Sequence, residues 1–520
     1  MLATAVVLAS TSTVMAAINA PVRSESGMVS GVPARDATIT VFKGIPFAAP
    51  PVGELRWKAP QPAAAWQGVR NADQFGSLCP QMSRDPNAVF SEDCLFLNVW
   101  SGAASAKERR PVFVWIHGGR FFAGAGSQPL FDGEGLARKG LVVVTFNYRL
   151  GVLGFLATPE LSRESGHNAS GNWGMLDQIA ALQWVRKNIA AFGGDPNRVT
   201  IAGQSAGAGS VLQLMNSPLA KGLFHGAIPE SGARYSGDPE ISGLATSYRL
   251  LKGAEAQGVK YAEEHGAPSL KELRALTVAQ LLVGNNANDE TYYGKPPPPL
   301  FRPVIDGWVI VKSYRESMAS GLVSRVPVMT GNNLDESGAS PQPNIKLGDF
   351  QSAAKQKYGA MADEFFKLYP AATDVEAGQA NNAAARDGSR VSSFLWAQEW
   401  NKATKRPVYT YFWTHAPPGP DRERRGAYHE SEINYIFNNL YATDRPWVDA
   451  DYKIADTMSS YWVNFAITGN PNGKSLPNWA ATNAKKSVVM QLGDGFGAMP
   501  LADPVKLDFW KRFFQSQKAW

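Results

Sequence analysis

The sequence predicts an α/β fold with a largely parallel central sheet covered by helices on both faces. Three observations carry that prediction. Short apolar runs rich in β-branched residues recur along the chain, and helical apolar patterns lie between them. No period of 20–50 residues repeats, so solenoids and propellers are excluded. The 520 residues are 44% hydrophobic, which is ample for one large core.

The elements follow in order. Residues 112–116, 141–146, 199–203, 326–329 and 408–412 read as strands buried on both faces. Between the second and third, Met175, Ile179, Leu182, Val185 and Ile189 recur at spacings of three and four and form one apolar stripe of a helix. Two mixed stretches, about 234–325 and 338–392, interrupt the alternation. They read as excursions that cover one edge of the sheet and wall a pocket beyond the strands' carboxyl ends.

Residues 1–20 contain no acidic or basic side chain. Leu2, Val6, Val7 and Leu8 precede small Val14 and Ala16. The segment is expected to be a signal peptide, although it lacks the usual leading lysine or arginine, and it leaves 21–520 as a single domain, secreted or periplasmic. No stretch reads as a membrane anchor. The two cysteines, Cys79 and Cys94, are expected to pair in such a compartment; two free buried thiols are the alternative. Arg and Lys are dispersed, and a net charge of +6 over this length lacks the basic stripe that nucleic-acid binding demands.

The chemistry begins at Gly203-Gln204-Ser205-Ala206-Gly207, with a strand before it and a helix-compatible run after it. That context turns a weak pentad into a nucleophile elbow, in which a sharp turn lifts the Ser205 hydroxyl above the sheet. The strand at 112–116 ends in His117-Gly118-Gly119-Arg120. Backbone amides of such a loop, with that of Ala206, can face a developing oxyanion. In hydrolases of this kind an acid and then a histidine follow the serine in the chain. His415 and His429 both come late enough. Asp335 and Glu336 both follow the strand at 326–329, and spacing does not separate them.

Taken together, the residues resemble a known family, the type-B carboxylesterases. These include cholinesterases, bacterial p-nitrobenzyl esterases and the non-catalytic neuroligins. The resemblance rests on Phe42-Lys43-Gly44-Ile45-Pro46-Phe47, on Glu92-Asp93-Cys94-Leu95-Phe96-Leu97-Asn98 and on Asn147-Tyr148-Arg149-Leu150-Gly151. It continues through Gly171-Asn172-Trp173-Gly174, Phe192-Gly193-Gly194-Asp195-Pro196, the elbow, Pro303-Val304-Ile305-Asp306-Gly307 and Thr468-Gly469-Asn470-Pro471. It implies the α/β-hydrolase fold, with long insertions walling the active site. It also implies Glu336 as the acid, His429 as the base, Gly119, Arg120 and Ala206 as oxyanion donors, and the Cys79–Cys94 disulfide. Ser231 matches a serine that supports the triad. No metal or cofactor is expected.

Two departures bear on substrate. Arg120 stands where the family has Gly or Ala. Its side chain either grips a carboxylate on the substrate or folds onto a structural acid. The Cys79–Cys94 loop lacks Trp, so the aromatic anchor for a choline ester is absent there. The expected substrate is a small-molecule ester, a simple aryl or alkyl ester by default; if Arg120 grips an anion, carboxylate-bearing acyl groups such as the tricarballylate esters of fumonisin are candidates. A non-catalytic binding or adhesion module is the competing reading. It predicts a damaged triad, and all three positions are intact.

Overall fold

The computed structural model describes residues 18, 21–82, 87–244, 247–290, 297–339, 345–483 and 485–519. The segment read as a leader, apart from Ile18, lies outside the described residues.

Runs of Val, Ile, Phe and Trp that bury both faces form the middle of one eleven-stranded sheet. In chain order its strands are β1 (Val32–Pro33), β2 (Thr40–Pro46), β3 (Phe96–Ser101), β4 (Arg110–Ile116), β5 (Val142–Phe146), β6 (Gly194–Gln204), β7 (Gly226–Glu230), β8 (Val328–Asn333), β9 (Val408–Trp413), β10 (Val488–Leu492) and β11 (Gly497–Pro500). Across the sheet the order is β11-β10-β9-β8-β7-β6-β4-β5-β3-β2-β1. The seven strands from β10 to β5 run parallel. Antiparallel pairs close both ends. This is the mostly parallel α/β architecture the sequence predicts.

Six helices bear on the site and its supports: α1 (Trp173–Asn188), α2 (Ala206–Asn216), α3 (Leu347–Tyr358), α4 (Asp374–Thr404), α5 (Asp449–Thr468) and α6 (Pro504–Ser516). The stripe of α1 is buried as expected, but so are Trp173, Asp177, Gln178 and Trp184 around it. Asp177 is buried because it takes a two-pronged ion pair from Arg149, at 2.7 and 2.8 Å. Side chains on one face of the sheet pack with α1 and α2, while α5 and residues 433–437 cover the other. Those two cores bury apolar surface at roughly 25 cal/mol per Å², the main favourable term in the fold.

The expected strand at 326–329 runs instead from Val328 to Asn333. Asn332 and Asn333 look like loop residues but pair in register with Phe412 and Trp413 of β9. Their buried amides are then available to hold loops above the sheet. The pattern ends the second mixed stretch near residue 392, yet α4 continues unbroken to Thr404 behind a Thr373–Glu376 capping box. Its partner is α6. Phe509, Trp510, Phe513 and Phe514 pack with Phe350, Tyr358, Phe365 and Tyr369 in a satellite core.

Candidate active site

Ser205 sits between β6 and α2 with φ 59° and ψ −122°. A non-glycine residue held in that region stores strain that the surroundings must impose. Backbone does so here. The Ser205 N–H donates to Glu230 O at 3.0 Å, and Ser205 O accepts from Gly209 N at 3.0 Å. A Cβ on Gly207 would lie 2.1 Å from Ile116 O, and one on Gly203 would lie 2.6 Å from the same atom. Both pentad glycines are therefore required by close backbone contact. Ala206 opens α2, so its amide has no acceptor within the helix, and the helix N-terminus favours negative charge.

The loop after β4 folds against the elbow. A Cβ on Gly118 would be 3.3 Å from Ser205 Cβ. The backbone turns sharply through Gly119 (φ 101°), Arg120 (φ 55°) and Phe121 (φ 64°). Among the described residues, the amides of Gly119, Arg120 and Ala206 have no hydrogen-bond acceptor. His117 is buried, stacked on Tyr148 with centroids 4.4 Å apart, and held by Tyr148 Oη donating to its carbonyl at 2.9 Å. Burial pushes the His117 imidazole down to about 4, so it is neutral. Gln81 ties the far end of this loop. It accepts from Gly124 N at 2.7 Å and donates to Gly124 O at 2.9 Å. Gln81 lies in the loop closed by the Cys79–Cys94 disulfide, which the structure contains.

The two acid candidates separate cleanly. Asp335 is buried, ion-paired with Arg386, and accepts from Ala427 N at 2.9 Å. It pins the segment that leads to His429. Glu336 accepts from His429 Nδ1–H through Oε2 at 2.5 Å and from Asn333 N through Oε1 at 2.9 Å. Burial alone would raise its pKa. The His429 charge and hydrogen bond, the Asn333 amide and the nearby Ser231 hydroxyl outweigh that and bring it to about 2. Among the described residues the Ser231 hydroxyl makes no well-aligned hydrogen bond of its own. For His429, burial works against charge, but Glu336 outweighs it and Glu430 and Glu432 add to it, so the imidazole is lifted to about 9.

The two histidines separate as well. His415 Nδ1 meets Asp494 at 2.5 Å and Nε2 meets Asp451 at 2.9 Å, so both nitrogens are occupied. Among the described residues, His429 Nε2 meets no carboxylate. Gln204 Nε2 lies 3.3 Å from both ring nitrogens, which places the amide over the ring rather than in line with either. The imidazole thus rests on the residue directly before Ser205. Gln204 and Asn333 are the site residues that sequence pattern misses. Gln204 is a free position of the pentad, and Asn333 looks like part of a turn.

Among the described residues Arg120 does not fold onto a structural acid. Its guanidinium donates to Asn288 Oδ1 at 3.3 Å and Pro297 O at 3.2 Å, with no acid partner among the described residues. A cavity of about 380 Å³ adjoins Gly118, Gly119, Gln204 and Glu430. Among the described residues no group of His, Cys, Asp and Glu could hold a metal ion.

A strained serine between a parallel strand and a helix, beside a glycine loop and a histidine–glutamate pair, defines a serine hydrolase of the α/β-hydrolase class. Comparison with known proteins narrows the class. The model of the carboxylesterase family matches residues 18–510. A fumonisin B1 esterase of Sphingopyxis macrogoltabida is 36% identical over 92% of this chain and 88% of its own length. The para-nitrobenzyl esterase of Bacillus subtilis is 33% identical over 88% of this chain and 92% of its own. A solved structure of PNB esterase superposes with a TM-score of 0.78 at 31% identity, covering 95% of this chain and all of that one. The chain belongs to the carboxylesterase family, and it is a carboxylic-ester hydrolase.

Proposed function

We propose that the chain is a secreted esterase that works through an acyl-enzyme on Ser205, with His429 as general base and acid and Glu336 as its anchor. The observation that carries this reading is the His429–Glu336 hydrogen bond standing beside the elbow of Ser205. Because Nδ1–H donates to Glu336, Nε2 is the basic nitrogen. Nε2 takes the Ser205 proton as Oγ attacks the ester carbonyl. The amides of Gly119, Arg120 and Ala206 receive the oxyanion, each worth roughly 2.7–4 kcal/mol in the transition state. The alcohol leaves with the proton from His429. Water then enters by the same route and releases the acid. A phosphonate ester tests this directly. One equivalent should attach to Ser205, and a folded protein left unlabelled would refute it.

The substrate reading is narrower. Among the described residues the Arg120 guanidinium donates to neutral oxygens of Asn288 and Pro297, so a substrate carboxylate would be a stronger partner than either. This favours esters whose acyl group carries carboxylate, the tricarballylate esters of fumonisin among them, and the similarity to a fumonisin B1 esterase supports it. The disulfide supports export of residues 21–520 as one unit, with 1–20 as leader. Among the described residues no helix is long and apolar enough to cross a membrane.

A further inference from the structure

Three carboxyl groups gather behind the imidazole, and the mechanism uses only Glu336. The other two are Glu230, the last residue of β7, and Glu432, three residues after His429; both are wholly buried. Each receives one side-chain hydrogen bond. Trp462 Nε1 of α5 donates to Glu230 Oε1 at 2.8 Å, and Asn333 Nδ2 donates to Glu432 Oε2 at 2.5 Å. The remaining oxygens, Glu230 Oε2 and Glu432 Oε1, have no donor among the described residues, and the Tyr411 hydroxyl is likewise unpartnered. The sheet builds this cluster. Glu230, Gly331 and Tyr411 are in register across β7, β8 and β9, and the Tyr411 ring fills the space where a Cβ on Gly331 would fall, 2.5 Å away.

Carboxylates sharing such a site cannot all ionise. Burial, then the charge of Glu432, drives the Glu230 pKa well above the usual carboxyl range. Burial raises Glu432 to about 7, with the Asn333 hydrogen bond and His429 opposing and Glu336 adding to the rise. Among the described residues neither bare oxygen has a donor to replace the water lost on burial, and a proton kept on the carboxyl lessens that cost.

We propose that Glu230 is a positioning residue that keeps a proton through the catalytic cycle, leaving Glu336 as the carboxylate that holds His429. The proposal rests on the triad reading of the active site, but its main test does not use activity. An unfolded Glu230 ionises near pH 4.5 while the native one stays protonated, so native stability falls as pH rises above 4.5. Glu230→Gln removes that penalty, because its amide carries no titrating proton and its oxygen can still accept from Trp462. Its Tm should match wild type near pH 4 and exceed it by a margin that widens from about pH 5 to 8. A lower Tm for Glu230→Gln at about pH 8 would mean an ionised, paired Glu230 and would overturn the proposal.

The pH profile gives a second readout. Glu432→Gln should move the acid limb of kcat/KM to lower pH, since the Glu432 charge raises the proton affinity of His429. Glu230→Gln should leave the break where it is, whatever happens to the plateau. A downward move as large as that of Glu432→Gln would overturn the proposal. Infrared spectra in mildly alkaline buffer supply the third arm: wild type minus Glu230→Gln should show a protonated-carboxyl C=O band, and its absence would also overturn it.

Discussion

His429 and His415 stand on neighbouring loops, and each leans on a carboxylate at 2.5 Å. The proposed chemistry uses only one of them. His415 is clamped at both nitrogens, between Asp494 and an Asp451 that also accepts from Tyr435 Oη at 2.7 Å. It links the end of β9 to the start of α5. His429 has one nitrogen anchored and the other turned away from any carboxylate among the described residues. A histidine–acid contact therefore does not mark a catalytic site. What singles out His429 for the proposed chemistry is a second nitrogen that meets no carboxylate among the described residues, near the strained turn at Ser205.

The sharpest way to break that contrast is to exchange the consequences of losing each ring. His429→Ala should lower kcat by about 10⁴-fold or more, as for any triad member acting as a unit. His415→Ala should retain most of its turnover and lose stability, by about 1–3 kcal/mol, because buried Asp451 loses one of its hydrogen bonds. Thermal melts and initial rates on p-nitrophenyl acetate measure both. Equal losses of rate would dissolve the distinction.

Next in size is Glu336→Gln, with a fall in kcat of about 10²–10⁴-fold as the ring loses its tautomer and its anchor. The general base works as a neutral ring, so a pKa lifted to about 9 places the acid limb of kcat/KM on the alkaline side. Removing the Glu336 charge should slide that limb toward lower pH, by contrast with any change at Asp494. The same pair sets two stability windows. Stability from the raised His429 is full below about pH 6.5, its unfolded value, and is lost as pH climbs through about 9. Stability from the depressed Glu336 is present above about pH 4.5 and is lost as pH falls through about 2. Urea titrations across pH would detect both.

Smaller again is Arg120→Ala. It should reduce kcat/KM for carboxylated esters by about 10–100-fold, the range of one charge-assisted hydrogen bond, and leave neutral esters within a few-fold. An unchanged preference would remove the anion from the substrate description. Smallest is Asp335→Asn, which should weaken the Arg386 clip and lower Tm while leaving the pH limb of His429 in place.

Much of the site is legible in the chain because backbone geometry demands particular residues. The elbow needs glycines at 203 and 207, and both are present. Parallel strands need unbroken apolar runs, and β4, β5, β6 and β9 follow them. Pattern does not settle adjacent carboxyls or alternative histidines, because Asp335 and Glu336 differ only in which way a strand end turns them. It also ends β8 too early: asparagines suggest a turn, whereas Asn332 and Asn333 pair in the sheet and serve the loops above. Arg120 stands out by composition, but its present partners are a side-chain amide and a carbonyl that lie far away in sequence.

The inner wall around Ser205 is built from main-chain atoms of residues 116, 118 and 207. A peptide carbonyl cannot swing aside as a side chain can, so that wall tolerates almost no variation. Anyone redesigning the protein for a new ester gains nothing by editing Gly203 or Gly207. The adjustable surfaces are the rims: the guanidinium at position 120 on one flank and the hollow beside Gln204 and Glu430 on the other.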